Sequence, residues 1–565
     1  MKLLGIELLD FLVVVVYLFG ICTLGVWMVR RVKNTSDFFI GNWRFGKALL
    51  MMHSFGTGTS SEMPVAVVSN SFKGGFSGIW TQWLYLFITP FYWLFAPWYR
   101  RLRCVTIGDM YEMRFSRAVS IFYTVFALVF FMVYVSLGLK ATSETVAAIS
   151  GGRLSADTIV ISMAILVVIY GSAGGLAAVV ITDFIQGLLI IVLSFMLIPF
   201  GLQAVGGFER LHDKVEAGFF SLTSPTGFTP FYVLMVTFAA LSGIVAQPHH
   251  MEVIGSGKTE YEGRFGYCYG CFIKRFCTVG WTFVGVLCIA LYADVVKNPD
   301  EVFGYAIKDL LPVGCVGLMI VAMMATVMSS CDSFMVDGSA VFTRNLYQHV
   351  RPGQGERHYL QVGRVVGVFV VAGGVVAAFL FPDIFENLKL VWDLPAFWGA
   401  SFWLGMLWRR ANSKGVWISV IGTMTVYILF KIILPNPWIL SRLRILIPTF
   451  PQIEVSHALL IAIYLPTSYI LMIVGSLLGP RIPEEKLNAF YARVHTPVNT
   501  NRDADKKNVQ ESLEHPRKFE QYKLIKWRDL ELLKPGKVDT IGFLVAWGWV
   551  AVILGVALFL IKFGG

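Results

Sequence analysis

Four hydroxyl side chains near residue 330 have the spacing of one helix face. They are Thr326, Ser329, Ser330 and Ser333, at positions i, i+3, i+4 and i+7 of an otherwise apolar run. A single serine or threonine in a membrane helix usually bonds back to its own backbone, and that alternative stays open for each hydroxyl taken alone. Together the four offer neutral oxygen ligands, which suit weak, reversible binding of Na⁺ better than binding of a divalent ion.

Two acidic residues accompany this hydroxyl face in apolar surroundings. Asp332 lies among the hydroxyls, and Asp183 lies in the apolar run 175–205. A carboxylate inside a membrane is costly to bury, so each is a functional candidate by default. The alternative is a structural ion pair with Lys140 or with an arginine.

Two other apolar runs contain residues that interrupt a straight helix. The first holds Gly56, Gly58 and Pro64, and the second holds Gly243 and Pro248. Irregular backbone at membrane depth is tolerated only where it lines protein or a watery cavity. Either break alone could be a packing kink, but matched breaks in two halves of a chain are typical of inverted-repeat transporters with a site near the midplane.

Residues beside these breaks are the candidates for binding a solute. The sequence offers polar, aromatic and thioether side chains there, namely Glu62, Met63, Gln82, Gln247, His249 and Trp392. Simpler explanations exist for several of them. Glu62 could cap the resumed helix, Trp392 could anchor at the membrane interface, and His249 could be a packed, hydrogen-bonded histidine.

Composition assigns these residues to a membrane protein. The chain has 565 residues, 56% of them apolar and 15% charged, against about 45–50% and 25% in soluble domains. Its net charge of +11 does not indicate a nucleic-acid partner, because the basic residues lie in short loops between apolar runs. Cys268 and Cys271 have redox spacing without a thioredoxin-like context, and His249-His-Met-Glu252 is not the H-E-x-x-H of a zinc enzyme. We therefore expect no enzyme, no organic cofactor and no metal other than Na⁺.

Apolar runs long enough to cross a bilayer predict an all-α polytopic protein with about fourteen transmembrane helices. The first run is too long for a signal peptide and is predicted to be a retained span. The pair of spans that meets at 171–175 has the least distinct separation. The predicted spans are 6–29, 48–71, 76–98, 118–147, 156–173, 175–205, 229–254, 266–293, 312–346, 360–381, 390–408, 415–435, 457–479 and 539–562.

The distribution of lysine and arginine predicts the orientation. With the N-terminus outside, the segments on the inner side hold 34 of the 47 basic residues. Both termini are therefore predicted outside, in a plasma membrane or cell inner membrane, with lipid around the helices.

The chain divides into seven predicted segments, and one of them is polar. The polar one, 480–538, is expected in the cytoplasm, and its stretch 518–534 favours an interfacial amphipathic helix or a solvated linker. The segments are 1–47 (first helix and basic loop), 48–205 (first five-helix repeat), 206–228 (extracellular loop), 229–410 (second five-helix repeat), 411–479 (two accessory helices), 480–538, and 539–565 (last helix).

Several motifs in this order resemble the solute:sodium symporter family. The resemblance covers most of the chain, and one departure is Gly171, where the family usually has a larger residue. A second departure is Gln247-Pro-His-His-Met-Glu252, where many members have a Gln-Arg pair. The motifs are Asp37-Phe-Phe-Ile-Gly41, Tyr170-Gly-Ser-Ala-Gly-Gly-Leu-Ala-Ala-Val179, Thr182-Asp-Phe-Ile-Gln186, Ser329-Ser-Cys-Asp-Ser333 and Phe342-Thr-Arg-Asn-Leu-Tyr347.

The resemblance implies a LeuT-like core of five plus five inverted helices and a sodium-coupled symporter. It implies one Na⁺ bound by the backbone carbonyls of Gly56, Thr59 and Thr326 and the hydroxyls of Ser329 and Ser330. A second Na⁺ at Asp183, Asp332 and Ser333 is implied less firmly. The expected partner is a small organic solute such as a sugar, amino acid or carboxylate, with no obligate protein partner. A solute sensor or a passive channel of the same fold is the alternative.

Overall fold

The computed structural model describes residues 2–3, 5–28, 34–225, 227–381, 383–437, 439, 455–527 and 529–563. Helices account for most of these residues. The strands in the described part are β1 (Lys2–Leu3) and β2 (Ile6–Glu7), which pair antiparallel. The predicted all-α class is confirmed.

The first half of the chain contains ten helices in the described ranges, one of them bent. They are α1 (Leu8–Met28), α2 (Thr35–Ile40), α3 (Lys47–Thr57), α4 (Glu62–Gly74), α5 (Trp80–Trp83), α6 (Thr89–Leu102), α7 (Ile107–Arg114), α8 (Arg117–Ile149), α9 (Ala156–Val205) and α10 (Phe208–Lys214). Short 3-10 turns occupy Gly41–Trp43, Gly75–Ile79 and Ala217–Phe220.

The second half continues the helical pattern. Its helices are α11 (Pro230–Ile244), α12 (His250–Val253), α13 (Glu260–Tyr292), α14 (Val302–Leu310), α15 (Cys315–Phe342), α16 (Gln348–Val350), α17 (Glu356–Leu380), α18 (Ile384–Leu407), α19 (Ser413–Ile428), α20 (His457–Leu478), α21 (Glu484–His495), α22 (Arg502–Glu514) and α23 (Lys537–Lys562). Turns of π-helix occupy Thr343–Tyr347 and Leu429–Ile433, and 3-10 turns occupy Pro299–Glu301 and Pro516–Tyr522.

Within the described residues, eight helices are long and apolar enough to cross a membrane, and three more are apolar but shorter. The number of fourteen spans stays a prediction. Burial separates central helices from peripheral ones: 83% of the most apolar stretch of Cys315–Val350 is buried inside the protein, against 22% for Lys537–Lys562. The helix with the hydroxyl face is therefore central.

Both predicted helix breaks are present. The first interruption, 58–61, separates α3 from α4, and the second, 245–249, separates α11 from α12. Each broken pair begins a block of five predicted spans, so the breaks occupy corresponding positions in the two blocks. This is the five-plus-five arrangement that the sequence predicts.

The predicted separation at 171–175 is a sharp bend inside α9. Gly175 has φ +59° and ψ −171°, a backbone conformation that costs other residues steric strain. A Cβ at this position would lie 2.9 Å from the backbone oxygen of Phe38. Glycine is therefore required both by the backbone angle and by the close approach of α2.

The segment 480–538 is packed onto the helical bundle, and its final part is not a helix. From Lys523 to Leu533 the chain forms a short hairpin, with the Leu524 N–H donating to the Leu532 carbonyl at 2.8 Å. Glu531 is 3% exposed and accepts from Arg409 at 2.8 Å and from Lys523 at 3.1 Å. The predicted amphipathic helix over 518–534 is wrong, because Glu531 pairs with Arg409 and Lys523 within the hairpin that follows the 3-10 turn Pro516–Tyr522. The alternative of a solvated linker stays a prediction.

Several basic residues that the charge count assigns to inner loops lie inside helices, and three of them belong to α13: Arg264, Lys274 and Arg275. Lys274 and Arg275 belong to α13 and are 8% and 1% exposed. Burial in the bundle removes them from the loop charge that the orientation rule counts. The orientation of the termini stays a prediction.

An ion pair at the end of α6 attaches the polar segment to the bundle. Arg103 donates to both oxygens of Asp505, at 2.8 and 2.7 Å. Although partial burial works in the opposite direction, the Arg103 guanidinium and the Asn499 N–H hold the pKa of Asp505 below its usual value. The pair is therefore fully charged at neutral pH.

Replacing Arg103 by alanine should loosen helix α22 from the bundle. A charged hydrogen bond contributes about 1.5–3 kcal/mol, which corresponds to roughly 10- to 150-fold in the equilibrium for opening. Limited proteolysis of the purified protein at 497–501 measures that opening. Lys507→Ala, at an exposed lysine of the same helix, is the matched control, and equal cleavage rates in the two variants would contradict the prediction.

Candidate cation and solute site

The last turn of α3 brings backbone carbonyl groups and polar side chains to the centre of the bundle. Gly56 lies in the last turn of α3, and Thr57 is its last residue. A Cβ on Gly56 would lie 2.7 Å from the Ser329 Oγ and 3.4 Å from the Asp183 Cγ. Glycine at this position therefore allows α15 and α9 to approach the α3 backbone closely.

The hydroxyl face of α15 meets this end of α3, and all four hydroxyl residues are buried. Ser330 Oγ donates to the Thr57 carbonyl at 3.2 Å, and Ser333 Oγ lies 2.8 Å from the Thr57 Oγ1. Thr326 Oγ1 instead donates to the Met323 carbonyl in its own helix at 2.6 Å. Thus the backbone-bonding alternative holds for the Thr326 hydroxyl, while serines 330 and 333 link α15 to α3.

Asp183 lies at the same place on α9 and is fully buried. One carboxylate oxygen accepts from Ser329 Oγ at 2.5 Å. The other lies 2.6 Å from His53 Nδ1 and accepts from Thr57 Oγ1 at 3.2 Å. The alternative pairing with Lys140 does not occur, because Lys140 pairs with Glu144 at 3.3 Å.

Asp332 is buried on the side of α15 that faces the first half of α9. A Cβ on Gly171 would lie 2.6 Å from the Asp332 Oδ1 and 2.6 Å from the Met335 Cε. The departure from the family pattern at residue 171 therefore makes room for Asp332.

Two residues of the cation cluster escaped the sequence analysis. His53 and Thr57 are fully buried one helical turn apart on α3, and both contact Asp183. His53 Nε2 also lies 3.9 Å from a Glu252 oxygen in α12. Their i, i+4 spacing on the broken helix was the available signal.

A cavity of about 40 Å³ lies between the two broken helices. Met63, Gln82, Gln247, His249 and Trp392 line it, which brings together five of the six predicted solute residues. A volume of this size holds a few water molecules rather than a whole solute. The helices must therefore move apart for a solute to enter.

Glu62, the sixth predicted residue, is fully buried in the first turn of α4 and does not line the cavity. A carboxylate in the first turn interacts favourably with the helix dipole. The start of α4 has no side-chain cap hydrogen bond, and Glu62 interacts electrostatically with Lys274 in the cavity wall, so its role towards the solute stays a prediction.

Two cationic residues that the sequence did not single out line the cavity. Lys274 Nζ donates to the Gly58 carbonyl in the first break. Arg275 donates to the Gln82 carbonyl at 2.9 Å, and its guanidinium lies 5.1 Å from the centre of the Tyr85 ring. Both residues lie inside the predicted span 266–293, where a basic pair is itself a signal of a functional site. Counting them as loop charge hid that signal.

The paired broken helices and the buried oxygen cluster define a cation-coupled secondary transporter. The chain belongs to the sodium:solute symporter family, whose family model matches residues 38–422. It is a membrane symporter and not an enzyme, and the predicted fold and sodium coupling are confirmed.

Individual relatives are distant but extend over most of the chain. The sodium/pantothenate symporter of Haemophilus influenzae is 26% identical over 489 residues, covering 80% of this chain and 93% of its own. The sodium/sialic acid symporter NanT of Aliivibrio fischeri is 24% identical over 447 residues, covering 74% and 86%. The sodium/glucose cotransporter 4 of Danio rerio is 25% identical over 471 residues, covering 74% and 71%.

Solved structures share the fold. A Na⁺-coupled sialic acid symporter in a substrate-bound outward-open state superimposes with a TM-score of 0.70 at 19% identity, covering 84% of this chain and 98% of its own. A closed nucleobase-cation-symport-1 family transporter gives a TM-score of 0.52 at 13% identity, covering 81% and 98%. The fold is therefore similar across proteins with different solutes.

Proposed function

We propose that this protein imports a small organic solute together with one or two Na⁺ by alternating access. The supporting observation is that the break between α3 and α4 borders both the cation cluster and the cavity between the broken helices. Thr57 meets the hydroxyl face of α15, while Gly58 lines the cavity between the broken helices. Movement of this segment would couple cation binding to solute binding.

The proposed first Na⁺ ligands are the carbonyls of Gly56, Thr59 and Thr326 and the hydroxyls of Ser329 and Ser330. The cluster fits the ion because neutral oxygens converge there beside the carboxylate of Asp183, which balances a single positive charge. Asp183, Asp332 and Ser333 are proposed for a second Na⁺. This assignment is supported by Thr57, whose Oγ1 lies 2.8 Å from the Ser333 Oγ and also donates to Asp183 at 3.2 Å.

The proposed solute site is the cavity between the broken helices, with Met63, Gln82, Gln247, His249 and Trp392 in its wall. Outside Na⁺ would tie the α3–α4 break to α15 and favour the outward-open form. Solute binding then closes the cavity, and opening to the inside releases both. No nucleic acid and no obligate protein partner take part.

The proposed topology has both termini outside and the polar segment 480–538 in the cytoplasm, in a plasma membrane or cell inner membrane. The seven-segment division given above, with repeats at 48–205 and 229–410, is part of this proposal. Its support is the loop charge together with the two breaks at corresponding positions.

Purified protein in vesicles should accumulate solute only with an inward sodium gradient. Each charge moved inward gains about 2.3 kcal/mol per 100 mV, which supports roughly 50-fold accumulation. A panel of labelled solutes with sodium outside, and potassium in its place as control, measures this. Equal uptake in both conditions would favour a passive channel, and sodium-dependent binding without uptake would favour a sensor.

A further inference from the structure

We propose that the solute is a small organic anion whose carboxylate is bound by Lys274 and Arg275. This inference rests on the proposed symport and narrows its substrate class. It follows from the unbalanced positive charge in the wall of the cavity between the broken helices.

Lys274 and Arg275 are buried next to each other in α13, and Glu62 acts on Lys274 electrostatically without forming an ion pair with it. In the part of the chain that the structure describes, no carboxylate oxygen lies within 4.0 Å of either side chain's nitrogens. Buried charges in proteins are almost always paired. The missing partner at this wall is a negative charge.

Two buried arginines elsewhere in the described part of the chain have more acceptors around their charge. Arg264, 4% exposed, pairs with Asp539 at 2.6 Å. Arg114, fully buried, donates to the carbonyls of Gly405 and Trp408 at 2.7 and 2.8 Å, at the negative end of α18. Lys274 and Arg275 have one backbone carbonyl each. They therefore have neither the carboxylate that Arg264 has nor the two carbonyls that Arg114 has.

Neutral polar groups in the same wall suit a carboxylate. The Gln82 side-chain amide and the His249 Nδ1 are buried without a hydrogen-bond partner in the described structure. An amide N–H can donate to the second carboxylate oxygen, and arginine offers a planar donor pair for the first. Glu62 does not line the cavity, and its single carboxylate can offset at most one of the two positive charges.

A neutral solute such as a sugar would leave at least one of the two cations unbalanced once the cavity closes. Buried unpaired charges are strongly unfavourable, whereas an anion converts them into charge-assisted hydrogen bonds. Lys274 also donates to the Gly58 carbonyl, two residues from Gly56. An anion beside Lys274 would therefore offset its positive charge near the proposed sodium ligands, so solute and Na⁺ should strengthen each other's binding.

Competition among solute classes tests this inference on the unmodified protein. Vesicles containing the full chain are given a defined equimolar mixture of carboxylic acids, their neutral amides, sugars, polyols and organic cations, and the contents are measured by mass spectrometry. We expect sodium-driven accumulation of one or more carboxylates, at least 30-fold above the matching amides. Sodium-driven accumulation of a neutral or cationic solute instead would overturn the anion inference and leave the proposed symport standing. No sodium-driven accumulation of any class would count against the symport itself and remove the inference with it.

Charge variants locate the binding groups. Lys274→Gln and Arg275→Gln should each lower uptake of the accumulated carboxylate about 10- to 100-fold, and Arg275→Lys should retain part of it. Thermal stabilisation by sodium alone, measured without solute, shows that a variant is folded. Lys258→Gln, at an exposed lysine before α13, is the control for loss of one positive charge, and a Gln variant that transports like this control would contradict the assignment.

Discussion

Replacing Ser329 and Ser330 together by alanine should abolish sodium-driven uptake while the protein still folds. Ser329 Oγ donates to Asp183 at 2.5 Å, and Ser330 Oγ donates to the Thr57 carbonyl at 3.2 Å. These two hydroxyls join α15 to α9 and to the broken helix, and both are proposed sodium ligands. A hydrogen bond or ligand contact to a charged group is worth about 1.5–3 kcal/mol, so each loss should weaken sodium binding roughly 10- to 150-fold.

The measurement is the sodium concentration for half-maximal uptake, with insertion checked by size-exclusion chromatography. Ser339→Ala is the matched control, because Ser339 is a buried serine of the same helix. Its Oγ lies 2.6 Å from the carbonyl oxygens of both Met335 and Gly363. The control should keep normal sodium dependence. If the double variant did so too, the cation would have to bind elsewhere.

The hydroxyl face was predictable because helical periodicity fixes which residues share a side. Ser329, Ser330 and Ser333 do meet the α3 break, as the spacing and the glycines at 56 and 58 indicated. Periodicity does not say which hydroxyl turns to its own backbone, and Thr326 does so. It also could not place Asp183 against His53, since that contact joins residues 130 positions apart.

The cationic wall of the cavity between the broken helices was not predictable from local pattern. Lys274 and Arg275 lie in the first half of the predicted span 266–293, but the orientation rule counts basic residues near a span end as loop anchors. Only the packing of α13 against α3, α4 and α6 shows that they lie inside the bundle. Similarly, the 518–534 stretch has the composition of an interfacial helix, but pairing of Glu531 with Arg409 and Lys523 holds it as a hairpin.

Asp183→Asn should weaken sodium binding more than any other single change in the cation cluster. The substitution keeps the size of the side chain and removes its charge. Two opposite unit charges about 4 Å apart attract by about 4 kcal/mol at the effective dielectric constant of 20 typical for proteins. That energy corresponds to roughly a thousandfold in affinity. Sodium-dependent thermal stabilisation of the purified variant measures the change without a solute.

Asp332→Asn should have a different effect, because Asp332 faces Gly171 rather than the α3 break. If Asp332 holds a second Na⁺, the variant should still bind one ion through Ser329, Ser330 and Asp183, with the Hill slope for sodium falling towards one. An unchanged slope would exclude a second ion at Asp332. Equal losses of sodium affinity in the Asp183→Asn and Asp332→Asn variants would mean that both carboxylates act on the same ion, because each charge would then be needed at one shared site.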